Sequence, residues 1–181
     1  MSQLGVYIYS RPLGLVIVFI FLVVIAWGFL GAAIELHGKN PFIWRGISYI
    51  VTIVSIISII YMTILSRTPT DVGEVHLIPL HSLVLGEKQA ELFRTMLMNV
   101  LLFVPLGLGV TYTFHLSINK VVAYSIIFSF ILSITIEFLQ YILRLGCAEV
   151  DDILCNTLGG AIGTLSYCLT IRIERRGKNT S

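Results

Sequence analysis

Hydrophobic positions along this chain gather into five long runs, at residues 13–34, 46–65, 95–114, 121–143 and 153–171, and the only charge inside them is Glu137. Each approaches the roughly 20 apolar residues with which a helix crosses a hydrocarbon core of about 30 Å. The second run is rich in Ile and Val, yet this does not argue for strand. A backbone in lipid must satisfy its own hydrogen bonds, and an isolated segment does so only as a helix. The first run competes with a signal peptide, for which Gly31-Ala32-Ala33 offers a cleavage site. It exceeds a typical signal core and its leader has little positive charge, so an uncleaved helix is predicted. The pattern therefore predicts an all-α integral membrane protein, a bundle of five transmembrane helices.

The polar stretches between the runs are short, except for residues 66–94. That connection holds H-L-I-P-L-H (76–81), too apolar for a free loop and denied a regular helix by Pro79. It is expected to rest on or dip into the interface. Residues 87–94 (E-K-Q-A-E-L-F-R) combine good helix formers with charges of both signs and predict a short interfacial helix. Pro105, Gly107 and Gly109 interrupt the third run, where neighbouring helices can re-satisfy freed carbonyls. The tail from residue 172 is basic and expected to be loose.

Composition sharpens this picture. Only 12% of the 181 residues are charged, and mean hydropathy is +0.92. A soluble domain carries about 25% charged residues. The net charge of +2 leaves no nucleic-acid footprint. Cys155 and Cys168 lie in one apolar helix about 20 Å apart and cannot bridge, and Cys147 could pair only with another chain. All three are expected to be thiols. Seven of the 12 Lys and Arg fall on the C-terminal side of a five-span topology, which places the C-terminus in the cytoplasm by a thin margin.

Polar residues inside the runs are the candidate chemistry. Asn99, Glu137 and Asn156 lie roughly 7, 10 and 6 Å from one and the same membrane face, at about 1.5 Å per residue. Glu137, Gln140 and Arg144 share a helix face by spacing, as do Asp152, Asn156 and Gly160. Arg67 belongs to the same end. Intramembrane ionisable groups are functional by default, at a cost of roughly 2.5–3.5 kcal/mol each on insertion scales. Glu137 also admits a structural reading, as an interfacial carboxylate or an ion pair with Arg144. Asn99 and Asn156 admit plain interhelical hydrogen bonding, and Gly159, Gly160 and Gly163 are read as close helix packing. Capping explains one of Asp151 and Asp152 but not both. His76 and His81 offer no third ligand nearby, so no metal is assigned, and Ser66 has no evident base. The resulting candidate binding set is Arg67, Asn99, Glu137, Gln140, Arg144, Asp151, Asp152 and Asn156.

The ordered motifs S-R-T-P (66–69), L-I-P-L (77–80), N-V-L-L-F-V-P-L-G (99–107), I-E-F-L-Q with Arg144 beyond it, and E-V-D-D-I-L-C-N-T-L-G-G-A-I-G (149–163) resemble the VanZ-like family of bacterial membrane proteins. The family's usual Asn and Phe around L-I-P are His76 and Leu80 here. The resemblance divides the chain into a leader and first helix (1–34), a VanZ-like membrane domain (35–171) and a basic cytoplasmic tail (172–181). It carries over to Arg67, Pro79, Asn99, Pro105, Gly107, Glu137, Gln140, Arg144, Asp151, Asp152, Asn156 and the three glycines. It implies a cell-envelope role in the bacterial cytoplasmic membrane, associated with resistance to the glycopeptide teicoplanin. The expected partners are a membrane lipid, a glycopeptide or a lipid-linked cell-wall precursor, with no cofactor. A membrane enzyme acting on a lipid or cell-wall intermediate is the alternative, although no nucleophile or phosphate-cradling loop is recognisable. A transporter would place its polar groups near mid-membrane, and this shallow layer disfavours it.

Overall fold

The computed structural model describes residues 41–69, 75–76, 89–114 and 117–178. Four helices form its body. Helix α1 spans Pro41–Ile60 and ends in a π turn, Tyr61–Leu65. Helix α2 spans Gln89–Thr113, α3 spans Ile118–Ile142, and α4 spans Val150–Lys178. Two-residue strands, β1 (Val75–His76) and β2 (Ala148–Glu149), pair in parallel, with Val75 opposite Ala148 and His76 opposite Glu149.

Among the described residues, three segments are long and apolar enough to cross a membrane: Arg45–Leu65, Thr95–Thr113 and Ile118–Ile142. The expectation of five crossings is thereby narrowed. The predicted first span lies outside the described residues, and α4 is not among the three. Helix α4 is diluted by Asp151, Asp152, Asn156 and a cluster of glycines and threonines. Two further expectations are corrected. Residues 89–94, placed on a separate interfacial helix, are the first turns of α2 itself, which continues unbroken through Pro105. The tail expected to be loose from residue 172 is helical to Lys178, since nothing in R-I-E-R-R breaks a helix.

Helix α2 is central, packed against α1, α3 and α4, and α4 also packs on α3. Every residue from Phe103 to Thr113 is buried. The seam between α2 and α4 is a backbone-to-backbone contact. A Cβ built on Gly107 would overlap the Gly160 carbonyl, one on Gly159 the Val100 carbonyl, and one on Gly163 the Val104 carbonyl. Without a hydrophobic drive between helices in lipid, such close approach supplies van der Waals attraction instead.

Burial runs opposite to that of a water-soluble protein. Ser125, Ser129 and Ser133 of α3 are fully buried, whereas Phe130, Ile131, Ile134 and Phe138 face outward. On α1, Ser48, Ser55 and Thr63 point in, while Ile50, Ile53 and Ile57 point out. So much exposed hydrocarbon would drive association in water. Against lipid tails it is the matched surface.

The inward polar groups satisfy one another. Ser125 Oγ donates to the Gly107 carbonyl at 3.3 Å, and Thr164 Oγ1 donates to Ser125 Oγ at 2.8 Å. Asn156 Nδ2 donates to Ser133 Oγ at 2.9 Å. This polar stripe ties α2, α3 and α4 along their length and leads to the end of the bundle where charge collects.

Candidate functional site

That end is built where α1 and α3 stop and α2 and α4 begin. Helix α3 stops in a Schellman turn, in which Leu145 N–H donates to the Gln140 carbonyl at 2.9 Å and Arg144 N–H to the Tyr141 carbonyl at 3.2 Å. Arg144 holds the left-handed position of this turn, φ 53°, usually given to glycine. Gly146, φ 139°, then reverses the chain, and a Cβ on it would lie 3.3 Å from Arg67 Nη1. The guanidinium from the end of α1 thus reaches into the loop that opens α4.

Arg67 is the cation of the cluster. It attracts the carboxyls of both Glu137 and Asp152, which repel each other, and Glu149 adds a further negative charge to both. Glu137 is 5% exposed, and its Oε2 accepts the Glu149 N–H at 3.0 Å. Asp151 and Asp152 occupy the first turn of α4, each 8% exposed, where the helix dipole favours negative charge. Asn99, from the third turn of α2, faces the Asp152 carboxyl.

Two buried amide oxygens around this cluster have no hydrogen-bond partner among the described residues, Gln140 Oε1 and Asn156 Oδ1, while Asn99 Nδ2 is turned toward the Asp152 carboxyl. The other arms of two of these amides are committed. Gln140 Nε2 donates to the Thr63 carbonyl at 3.0 Å, and Asn156 Nδ2 is held by Ser133. Two acceptors are therefore presented, beside two carboxyls and a guanidinium, at a depth where they have few alternative partners.

Of the sequence-derived set, the structure brings Arg67, Asn99, Glu137 and Asp152 together, with Gln140, Asp151 and Asn156 buried around them. Arg144 is exposed beyond the end of α3. Pro79 and His81 lie outside the described residues. Sequence reasoning missed Glu149, which backs the Glu137 carboxyl through its main chain and sits 3.5 Å from His76 Nδ1 through its side chain. Its place in the E-V-D-D motif was a signal, but its partner His76 arrives through a ladder that no spacing reveals. The serines of α3, four apart, were legible as a face and were overlooked. A cavity of about 530 Å³ also opens between α1, α2 and α3, lined by Tyr49, Val110, Tyr124 and Ile127 among others. It is apolar and lies toward the opposite end, so it is a lipid-like surface rather than a place for charge chemistry.

An apolar exterior, glycine-packed seams and buried carboxyls gathered at one end define a helical membrane protein. A family model, VanZ/LLP1, matches residues 47–171. The chain belongs to the VanZ/LLP1 family. It is also similar to Protein VanZ of Enterococcus faecium, 35% identical over 80 residues, which is 43% of this chain and 47% of that protein. The matched segment thus spans about half the length of that relative. No solved structure matches.

Proposed function

We propose that this chain is a resistance-associated protein of the bacterial cytoplasmic membrane that binds an envelope ligand in the polar pocket at the end of its bundle. The ligand is a glycopeptide such as teicoplanin, a lipid-linked cell-wall precursor or another lipid headgroup. The pocket faces outward, and the C-terminus lies in the cytoplasm. The supporting observation is that Arg67, Glu137 and Asp152 converge within a buried cluster that also holds Asn99 and presents unsatisfied arms of Gln140 and Asn156. Carboxyls suit the ammonium and hydroxyl groups of sugars, peptides and headgroups, and a guanidinium suits their carboxylates and phosphates. Arg144, exposed at the mouth, would meet an anionic group before it enters.

Expression in a glycopeptide-sensitive host tests this. The inhibitory concentration of teicoplanin rises with the wild-type chain and returns to the host's value with Glu137→Gln or Arg67→Gln at equal membrane levels. An unchanged inhibitory concentration with the wild-type chain would remove the drug. Native mass spectrometry of the purified protein would then show whether a precursor or lipid remains bound.

The paired carboxyls beside Arg67 also favour one further reading, an enzyme that uses Glu137 and Asp152 for acid–base work on a lipid or cell-wall intermediate. It requires a new product from labelled lipid with wild-type protein and none with Glu137→Gln.

A further inference from the structure

The short ladder between β1 and β2 joins two segments far apart in the chain, and it does so at a chemically specific place. His76 pairs opposite Glu149, and Cys147 lies two residues before Glu149, on the same side of an extended chain. His76 Nδ1 stands 3.5 Å from Glu149 Oε1, and the ligand atoms of His76, Cys147 and Glu149 all lie within 4.8 Å of one another. We propose that these three residues form a zinc-binding site at the outer edge of the polar cluster.

The donor set selects the ion. Imidazole, thiolate and carboxylate together suit Zn²⁺, whereas Mg²⁺ and Ca²⁺ take oxygen ligands and would find a single carboxylate here. The spacing fits as well. With bonds of about 2.0–2.3 Å and tetrahedral angles, ligand atoms stand roughly 3.3–3.8 Å apart. The imidazole–carboxylate distance already has that value, and the thiol lies within 4.8 Å of both.

Three protein ligands leave a fourth position for water or an oxygen of a bound molecule. The surroundings favour a cation, because Glu137, Asp151, Asp152 and Glu149 outnumber Arg67. Glu137 also anchors Glu149 through its main-chain N–H, the kind of outer support that keeps a ligand in register. The site does not depend on the headgroup reading and can stand if that reading fails. The competing account is a simple ion pair between His76 and Glu149 with a thiol nearby.

The test uses the full chain, purified in detergent, stripped with chelator and titrated with Co²⁺. The proposal expects one equivalent of Co²⁺ per chain, a thiolate-to-cobalt charge-transfer band, and displacement by Zn²⁺. The band vanishes in Cys147→Ser and persists in Cys155→Ser and Cys168→Ser. Affinity falls in His76→Gln and Glu149→Gln by at least the roughly tenfold to hundredfold that loss of an outer-shell partner causes. A second readout on wild-type protein needs no variant. Zn²⁺ slows maleimide alkylation of Cys147, located by mass spectrometry, at least tenfold, with no change at Cys155. The proposal is overturned if stripped, monodisperse protein takes up no Co²⁺, if bound Co²⁺ shows no thiolate band, if the band survives Cys147→Ser, or if Zn²⁺ leaves Cys147 as reactive as before.

Discussion

Gln140 Nε2 donates to the main-chain carbonyl of Thr63 at 3.0 Å, which fastens the last turns of α3 to the π turn that ends α1. That carbonyl needs a donor from elsewhere. In a continuing α-helix it would take the Arg67 N–H, but the chain has unwound, so Arg67 N–H goes to Ile64 and Ser66 N–H reaches back to Tyr61. The unwinding delivers Arg67 to the carboxyls, and Gln140 satisfies what the unwinding frees. Single-turn π segments recur at functional sites for this kind of reason.

Gln140→Leu keeps the volume and removes the donor. Leaving a buried carbonyl unsatisfied costs about 1–3 kcal/mol. We expect a lower melting temperature in detergent and, because the π turn positions Arg67, a loss of pocket function larger than the stability change explains. An unchanged melting temperature would show that the carbonyl finds another donor and that Gln140 does not hold α1 in place.

The glycines separate into two kinds. A Cβ at Gly107 meets only backbone atoms of Gly160, which cannot move aside, whereas at Gly46 nothing lies within 4 Å. Gly107→Val should cost more than the roughly 1–3 kcal/mol of ordinary overpacking and abolish monodisperse protein. Gly46→Ala should instead stabilise α1 by about 0.5–1 kcal/mol. The pair is checked by melting temperature and by elution profile. Equal tolerance at both positions would contradict the close α2–α4 seam.

Sequence pattern made the apolar runs and the depth of Asn99, Glu137 and Asn156 legible, because lipid leaves a helix few choices and rise per residue is fixed. It also singled out Arg67, Glu137 and Asp152 one by one. It left Glu137 to pair with either Arg67 or Arg144 and did not choose between them. Arg144 lies seven residues away on the same face, and that spacing counts only while the helix continues. The Schellman turn ends it at Ile142, and a side chain beyond that turn no longer follows helical spacing. Arg67 comes from another helix through a π turn, and no periodicity announces such a turn. The β ladder was invisible for the same reason, since two residues carry no alternation to read.

Arg144 yields a prediction of its own. A non-glycine residue in the left-handed region costs roughly 1–2 kcal/mol, and its side chain is exposed. Arg144→Gly should therefore relieve a backbone cost of about 1 kcal/mol that Arg144→Ala keeps, so Arg144→Gly should be the more stable of the two variants. Chemical denaturation in detergent distinguishes them. If Arg144 meets an anionic ligand at the mouth, both variants lose activity, and Arg144→Lys does not. Arg144→Gly no more stable than Arg144→Ala would mean that the left-handed backbone carries no such cost here.

A double-mutant cycle measures directly how far Arg67, Glu137 and Asp152 act as one electrostatic unit. Arg67→Gln removes the cation and leaves two mutually repelling carboxyls at the end of the bundle. Because Arg67 is only half-buried, the loss should fall near the lower end of the roughly 3–5 kcal/mol seen when one partner of a buried ion pair is removed. Adding Glu137→Gln to that background removes one of the repelling charges. The double variant should then be more stable than Arg67→Gln alone, even though Glu137→Gln destabilises the wild-type chain. The coupling should fall within the roughly 0.5–3 kcal/mol found for residues in one network, and added salt should reduce it little, since screening acts weakly on buried pairs. Lys120→Gln with Glu137→Gln, at the opposite end of α3, is the control and should be additive. If the Arg67 cycle is also additive, the charges are neighbours without being partners, and the pocket loses the physical basis on which ligand binding was proposed.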